Sequence, residues 1–98
     1  MDYKVILSPR SIQDLQEIVR YISCDNPAAA LSFGNLLIEK VRNVGSFPEL
    51  GRVVPETGDP GIREMIFRSY RIVYRVRKTE KVVEISRFWH AARGAPPV

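Results

Sequence analysis

The side chains best suited to chemistry lie in the second half of the 98-residue chain: Arg63, Arg71, Arg75, Arg77, Arg87 and Arg93, with Trp89 and His90 among them. A guanidinium is planar and permanently charged, and it holds a phosphate or carboxylate through two parallel hydrogen bonds. A set of them points to an anionic partner, either a nucleic acid or an acidic protein. The formal net charge of +4 fits both, and also fits a domain whose charge serves only solubility. Arg71, Arg75 and Arg77 share one face of a strand-like alternation and form a candidate basic stripe, although a strand arginine is most often a solvated charge. His90 is the side-chain type that exchanges a proton near neutral pH and could act as acid or base. With no Asp or Cys beside it in sequence, it fits a structural role more simply.

Other chemistries are poorly served. Cys24 is the only cysteine, so no internal disulfide is expected and a reducing compartment, the cytoplasm, is implied. The simplest reading of that thiol is a buried, inert one. One cysteine and one histidine cannot build a zinc site, and neither metal nor cofactor is expected. No apolar run approaches the roughly 20 residues that span a bilayer. The opening Met1-Asp2-Tyr3-Lys4 lacks the basic-then-apolar pattern of a signal peptide, so none is expected.

The elements that would position these residues can be read from spacing. A single domain over 1–98 is expected. Tyr3–Leu7 reads as a strand. Ser8 then serves as helix N-cap with Pro9 at the first helical position. Ile12, Leu15, Ile18, Val19 and Ile22 recur at helical spacing to a helix end near Cys24. Asp14 and Glu17 fall among the polar positions and read as surface charges. Asn26-Pro27 repeats the start signal, and Ala30, Phe33, Leu37, Val41 and Val44 form the next apolar stripe, with Gly45 as the stop and Pro48 beyond it. Gly34 inside this helix suggests close approach of the two helices.

Residues 47–61 read as a loop rich in proline and glycine. Three alternating segments follow: Ile62–Phe67, Tyr70–Val76 and Val82–Phe88, separated by the turn candidates Arg68-Ser69 and Lys78-Thr79-Glu80-Lys81. Tyr70 and Tyr74 are expected to pack beneath the helices, and Phe88 and Trp89 to lie in the core or at a partner contact. Gly94–Val98 carries no helix or strand signal and reads as mobile unless a partner holds it. The order β-α-α-β-β-β is that of an α+β fold, a helical hairpin on one face of an antiparallel meander.

The combination resembles the RelE/ParE toxin superfamily, also described as plasmid-stabilisation proteins. The likeness is carried by Ser8-Pro9-Arg10-Ser11 opening a helix that contains Asp14 and Leu15, and by the loop Pro48-Glu49-Leu50-Gly51-Arg52. It is carried further by the strand Tyr70-Arg71-Ile72-Val73-Tyr74-Arg75-Val76, and by Val83–His90 with Ala91-Ala92-Arg93 after it. Together these motifs cover nearly the whole chain in the right order. The resemblance implies the toxin of a type II toxin–antitoxin pair, acting in the cytoplasm and neutralised by an antitoxin with an acidic, flexible C-terminal segment that folds on contact.

Two activities occur in that superfamily. A RelE-like member cleaves mRNA on the ribosome, and a ParE-like member inhibits DNA gyrase. Metal-free RNA cleavage needs a base, an acid and cations around one phosphate, and the candidates here are Arg63, Arg71, Arg75, Arg87 and His90. However, no lysine lies between Lys40 and Lys78, Ala91 rather than tyrosine follows His90, and no tyrosine follows Tyr74. The ending His90-Ala91-Ala92-Arg93 resembles the ParE-like branch, which is the favoured expectation. Its surface for antitoxin or target would be Arg71, Arg75, Arg77, Arg87, Trp89, His90 and Arg93. The alternatives are the ribosome-dependent endonuclease and an inactive interaction domain.

Overall fold

Ser8 and Asn26 each turn an extended stretch into a helix by the same device. Their side-chain oxygens accept from the amides of Ser11 at 3.1 Å and Ala29 at 3.0 Å, and each is followed by a proline that needs no helical partner for its nitrogen. In the computed structural model, which describes residues 2–97, these caps open α1 (Pro9–Ser23) and α2 (Pro27–Ser46). The strands are β1 (Lys4–Leu7), β2 (Arg52–Val53), β3 (Ile62–Phe67), β4 (Tyr70–Arg77) and β5 (Val82–His90), followed by a 3-10 turn at Ala91–Arg93.

The sheet order is β1-β5-β4-β3-β2. The β3-β4-β5 meander is antiparallel as expected, and β1 docks parallel to β5 with Val5 opposite Val83 and Leu7 opposite Ile85. Ile18 of α1 and Phe33, Leu37, Val41 and Val44 of α2 pack on Ile72, Tyr74, Val83, Ile85 and Phe88 of the sheet. Each such side chain contributes about 1.5–3 kcal/mol by leaving water. Tyr74 lies in this core as expected, and its hydroxyl donates to the Pro48 carbonyl at 2.8 Å and accepts from the Gly51 amide at 2.9 Å.

The opposite sheet face is not bare. Val54, Ile62 and Val73 form a second small cluster there. The segment 54–60 folds back over it, held by the Val54 amide on the Ile62 carbonyl and by turns at Thr57 and Asp59.

Four expectations change. The 47–61 loop contains the two-residue strand β2, paired with Arg63 and Glu64, too short for alternation to reveal. Gly45 does not stop α2. It is buried one residue before the helix end, where a Cβ would lie 2.6 Å from Val5 Cγ2 and 3.1 Å from the Tyr3 carbonyl, so it is there to let β1 approach. Cys24 is exposed rather than buried, because it follows the last turn of α1 beyond the apolar stripe. Gly94–Pro97 has no helix or strand, as expected, but it is not without anchors: the Gly94 carbonyl accepts from Trp89 Nε1 at 3.1 Å, and Pro96 is buried. Val98 lies outside the described residues.

The two helical glycines should therefore respond differently to alanine. Gly45→Ala should destabilise by about 1–3 kcal/mol through overpacking. At Gly34 the nearest atom to a Cβ is Val19 Cγ2 at 3.2 Å, a side chain able to shift. Gly34→Ala should change stability by less than about 1 kcal/mol, because the gain in helix propensity offsets the tight contact. Urea denaturation of both variants measures this.

Candidate functional site

Arg71, Arg75 and Arg77 share the outer sheet face, but most of the candidate arginines are already engaged. Arg71 is buried at the centre of a four-member chain of charges. Its Nε donates to Glu64, and its two terminal nitrogens donate to the two oxygens of Glu56 at 3.1 and 2.7 Å. Glu64 is only 1% exposed and takes a second cation, Arg52, whose Nε lies at 2.8 Å. The order is Arg52–Glu64–Arg71–Glu56, neutral as a unit. The paired guanidinium holds the Glu56 carboxyl below its ordinary range, and the two carboxylates push the Arg71 pKa further up.

Arg87 is engaged in the same way. Its fork meets both oxygens of Asp14 at 2.7 and 3.1 Å, and the same carboxylate accepts from the Phe88 amide at 3.1 Å. Arg10 approaches Asp14 from solvent at 3.6 Å. Asp14 is thus a buried counter-ion and not the surface charge expected from its polarity. A bulge makes this pairing possible. Opposite β4 the register runs Val73 to Arg87 and then Tyr74 to Ile85, leaving Ser86 as an extra residue. Ser86 Oγ donates to the Val73 carbonyl, and Ser8 Oγ donates to the Ser86 carbonyl, so the bulge is tied to the start of α1. Without it, alternation from Val83 and Ile85 would send Arg87 into the core and Phe88 out.

The remaining candidates are dispersed. Arg63 pairs in register with Tyr74, on the helix side of the sheet, and its terminal nitrogen donates to the Gly51 carbonyl at 2.9 Å. Arg75 lies on the other face, exposed, and its side chain makes no hydrogen bond or ion pair to any of the described residues. Arg77 pairs with Glu84 at 3.0 Å. Trp89 is buried with the guanidinium carbons of Arg93 and Arg87 at 3.9 and 4.9 Å from its ring centroid. His90 Nδ1 accepts from the Ala92 amide at 3.1 Å, and its ring meets Tyr70 edge-on at 5.0 Å. His90, Tyr70, Tyr21, Glu17 and Arg93 line a cleft of about 350 Å³ between α1 and the end of β5. Burial, and then the neighbouring Tyr21, raise the Tyr70 pKa.

Arg71, Arg75, Arg77 and Trp89 therefore share the outer face of the sheet, Arg87 turns from it to Asp14 on α1, Arg93 lies between Trp89 and the α1 cleft, and His90 lies with Arg63 on the helix side. Among the described residues, no group of His, Cys, Asp and Glu is arranged to hold a metal ion, and no helix is long and apolar enough to cross a membrane. Sequence reasoning missed the counter-ions Asp14, Glu56, Glu64 and Arg52. Two had a visible signal: Asp14 shares a helix face with Ser11 and Ile18, and Glu64 alternates with Ile62 and Ile66 on one strand face.

This arrangement can be set beside known proteins. The family profile described as ParE toxin of type II toxin-antitoxin system, parDE, matches residues 5–94. The chain belongs to that family. The toxin also shares its fold with a chromosomal ParDE system from Pseudomonas aeruginosa, with a TM-score of 0.73 at 21% identity over 90% of this chain and 95% of that one. A doubly substituted Escherichia coli RelE in the free state gives a TM-score of 0.69 at 20% identity over 96% and 88% of the two chains. A RelBE toxin–antitoxin complex from Mycobacterium tuberculosis gives 0.62 at 21% identity over 92% and 99%. No curated protein matches the sequence at a significant level. The α+β architecture of the toxin, with its helices on one face of the sheet, is the one expected for the RelE/ParE superfamily.

Two outcomes follow from the charge pairing. Asp14→Ala leaves Arg87 buried without a partner and should destabilise the toxin by about 3–5 kcal/mol, whereas Arg75→Ala should stay within about 0.5 kcal/mol, both read by urea denaturation. Glu56 has a depressed pKa when folded, so its contribution is complete above the ordinary glutamate value of 4.5 and is lost as pH falls through the lower folded value. Amide exchange at Thr57 and Gly58 should speed up, relative to the intrinsic rate, only on acidification below that range.

Proposed function

We propose that this toxin acts as a ParE-like inhibitor of DNA gyrase, by binding rather than by cutting RNA. The observation that carries the reading is the disposition of the cations a metal-free nuclease would need. Arg71 and Arg87 are held by carboxylates, Arg63 and Arg75 belong to opposite faces of the sheet, and His90 Nδ1 is committed to the Ala92 amide. In-line cleavage needs several of these groups around one phosphate. A binding toxin needs only a surface, and exposed Arg75 with Arg77, Arg93 and the Trp89 edge of the sheet offers one.

We further propose a cognate antitoxin whose acidic C-terminal segment orders on the toxin in the cytoplasm. An apolar patch supports this. Phe47 is 67% exposed and Leu50 55% exposed, where the helical hairpin meets the sheet. They line a groove of about 480 Å³ with Tyr3, Val76 and Lys78.

Purified toxin should inhibit gyrase supercoiling, and Arg75→Ala with Arg77→Ala should weaken that inhibition by roughly thirtyfold if each guanidinium contributes about 1 kcal/mol to binding. Full supercoiling at large toxin excess, together with codon-positioned mRNA cuts on induction, would instead select the nuclease activity. Co-expression with the cognate antitoxin should raise solubility, and Phe47→Asp should abolish that rescue.

A further inference from the structure

We propose that the segment 54–60 is a self-binding strap whose Glu56 occupies a carboxylate receptor built around Arg71, and that an acidic segment of a partner protein displaces it. The proposal rests on the antitoxin reading above and names a site for it. Arg71 presents both terminal nitrogens to one carboxylate, the pairing by which a guanidinium recognises such a group. Glu64 holds Arg71 Nε from beneath, so the fork keeps its orientation whether or not Glu56 is present. The Glu56 side chain is 39% exposed, against 9% for Arg71, so the ligand half of the pair lies at the surface and the receptor half does not. The strap itself is held by short-range turns and by Val54, and among the described residues Glu56 makes its one ion pair.

Charge selects the class of ligand. With Glu56 lifted away, Arg52 and Arg71 face Glu64 alone, and the site carries one net positive charge. One carboxylate replacing another restores neutrality. The two-oxygen contact that Glu56 makes with the fork is a carboxylate's, and it favours a side-chain carboxylate over a nucleic-acid backbone as the replacement.

The test is a titration of the full-length toxin with capped hexaglutamate, with hexathymidylate as the comparison, followed on the backbone amide resonances of β4, which every variant retains. Glu56→Gln removes an internal competitor whose effective concentration is in the millimolar range or above, so it should tighten hexaglutamate binding by roughly tenfold or more. Adding Arg71→Lys to Glu56→Gln keeps the charge, removes the fork and should return binding to the wild-type level. Thermal unfolding checks that both variants are folded. Equal affinity of Glu56→Gln and wild type, or a gain for hexathymidylate without one for hexaglutamate, would overturn the strap. Because the co-expression test does not involve Glu56, a failure here beside a positive result there removes the strap and leaves the antitoxin reading standing.

Discussion

Glu64 carries a carboxylate into the sheet where almost no water reaches it, and the outer face is organised around satisfying that charge. An uncompensated buried ion is costly by several kcal/mol, so two guanidiniums converge on it. Arg52 comes from β2 and Arg71 from β4, one on each side of β3. The pairing thus fastens a two-residue edge strand that has little backbone hydrogen bonding of its own. Arg71 then has a free fork, and that fork draws the 54–60 segment over Val54, Ile62 and Val73. One buried charge accounts for the placement of the edge strand, the covering of a small apolar cluster and the withdrawal of the most central arginine from solvent.

The second buried pair does comparable work at the other edge. Asp14 anchors α1 to β5 through Arg87 and the Phe88 amide, at the position where Ser86 interrupts the strand. The bulge turns Arg87 out of the core, returns Phe88 to it and places a free amide within reach of the helix. Arg87 and Arg93 then cover Trp89, whose indole nitrogen holds Gly94. Both pairs trade a guanidinium's availability for architecture. The surface left for a partner is correspondingly narrower than the arginine content implies.

Much of this fold is legible in the residues. Ser8-Pro9 and Asn26-Pro27 announce both helices, and their stripes name Ile18, Phe33, Leu37, Val41 and Val44 correctly as core. The meander follows from alternation at Tyr70–Val76. What is not legible arises where contacts between distant residues override a local period. Arg71 and Arg87 read as solvent-facing charges because their partners lie 7, 15 and 73 positions away in sequence. Ser86 shifts the alternation of β5 without a glycine or proline to mark it. Gly45 carries a familiar stop signal for a different reason, the approach of β1. Cys24 looks like a core thiol by residue type alone, yet its position past the last turn of α1 leaves it in solvent.

The parallel seam between β1 and β5 has a consequence for how the molecule comes into being. Lys4–Leu7 finds its sheet neighbours only at Val82–Ile85, across nearly the full span of the fold. The helical hairpin can form from local contacts as soon as it is made, but its apolar face has no complete sheet to cover until the final strand exists. A nascent chain therefore keeps the apolar face of its hairpin open until Val82–His90 has been made, and a cell making this toxin has that interval in which to supply whatever holds it.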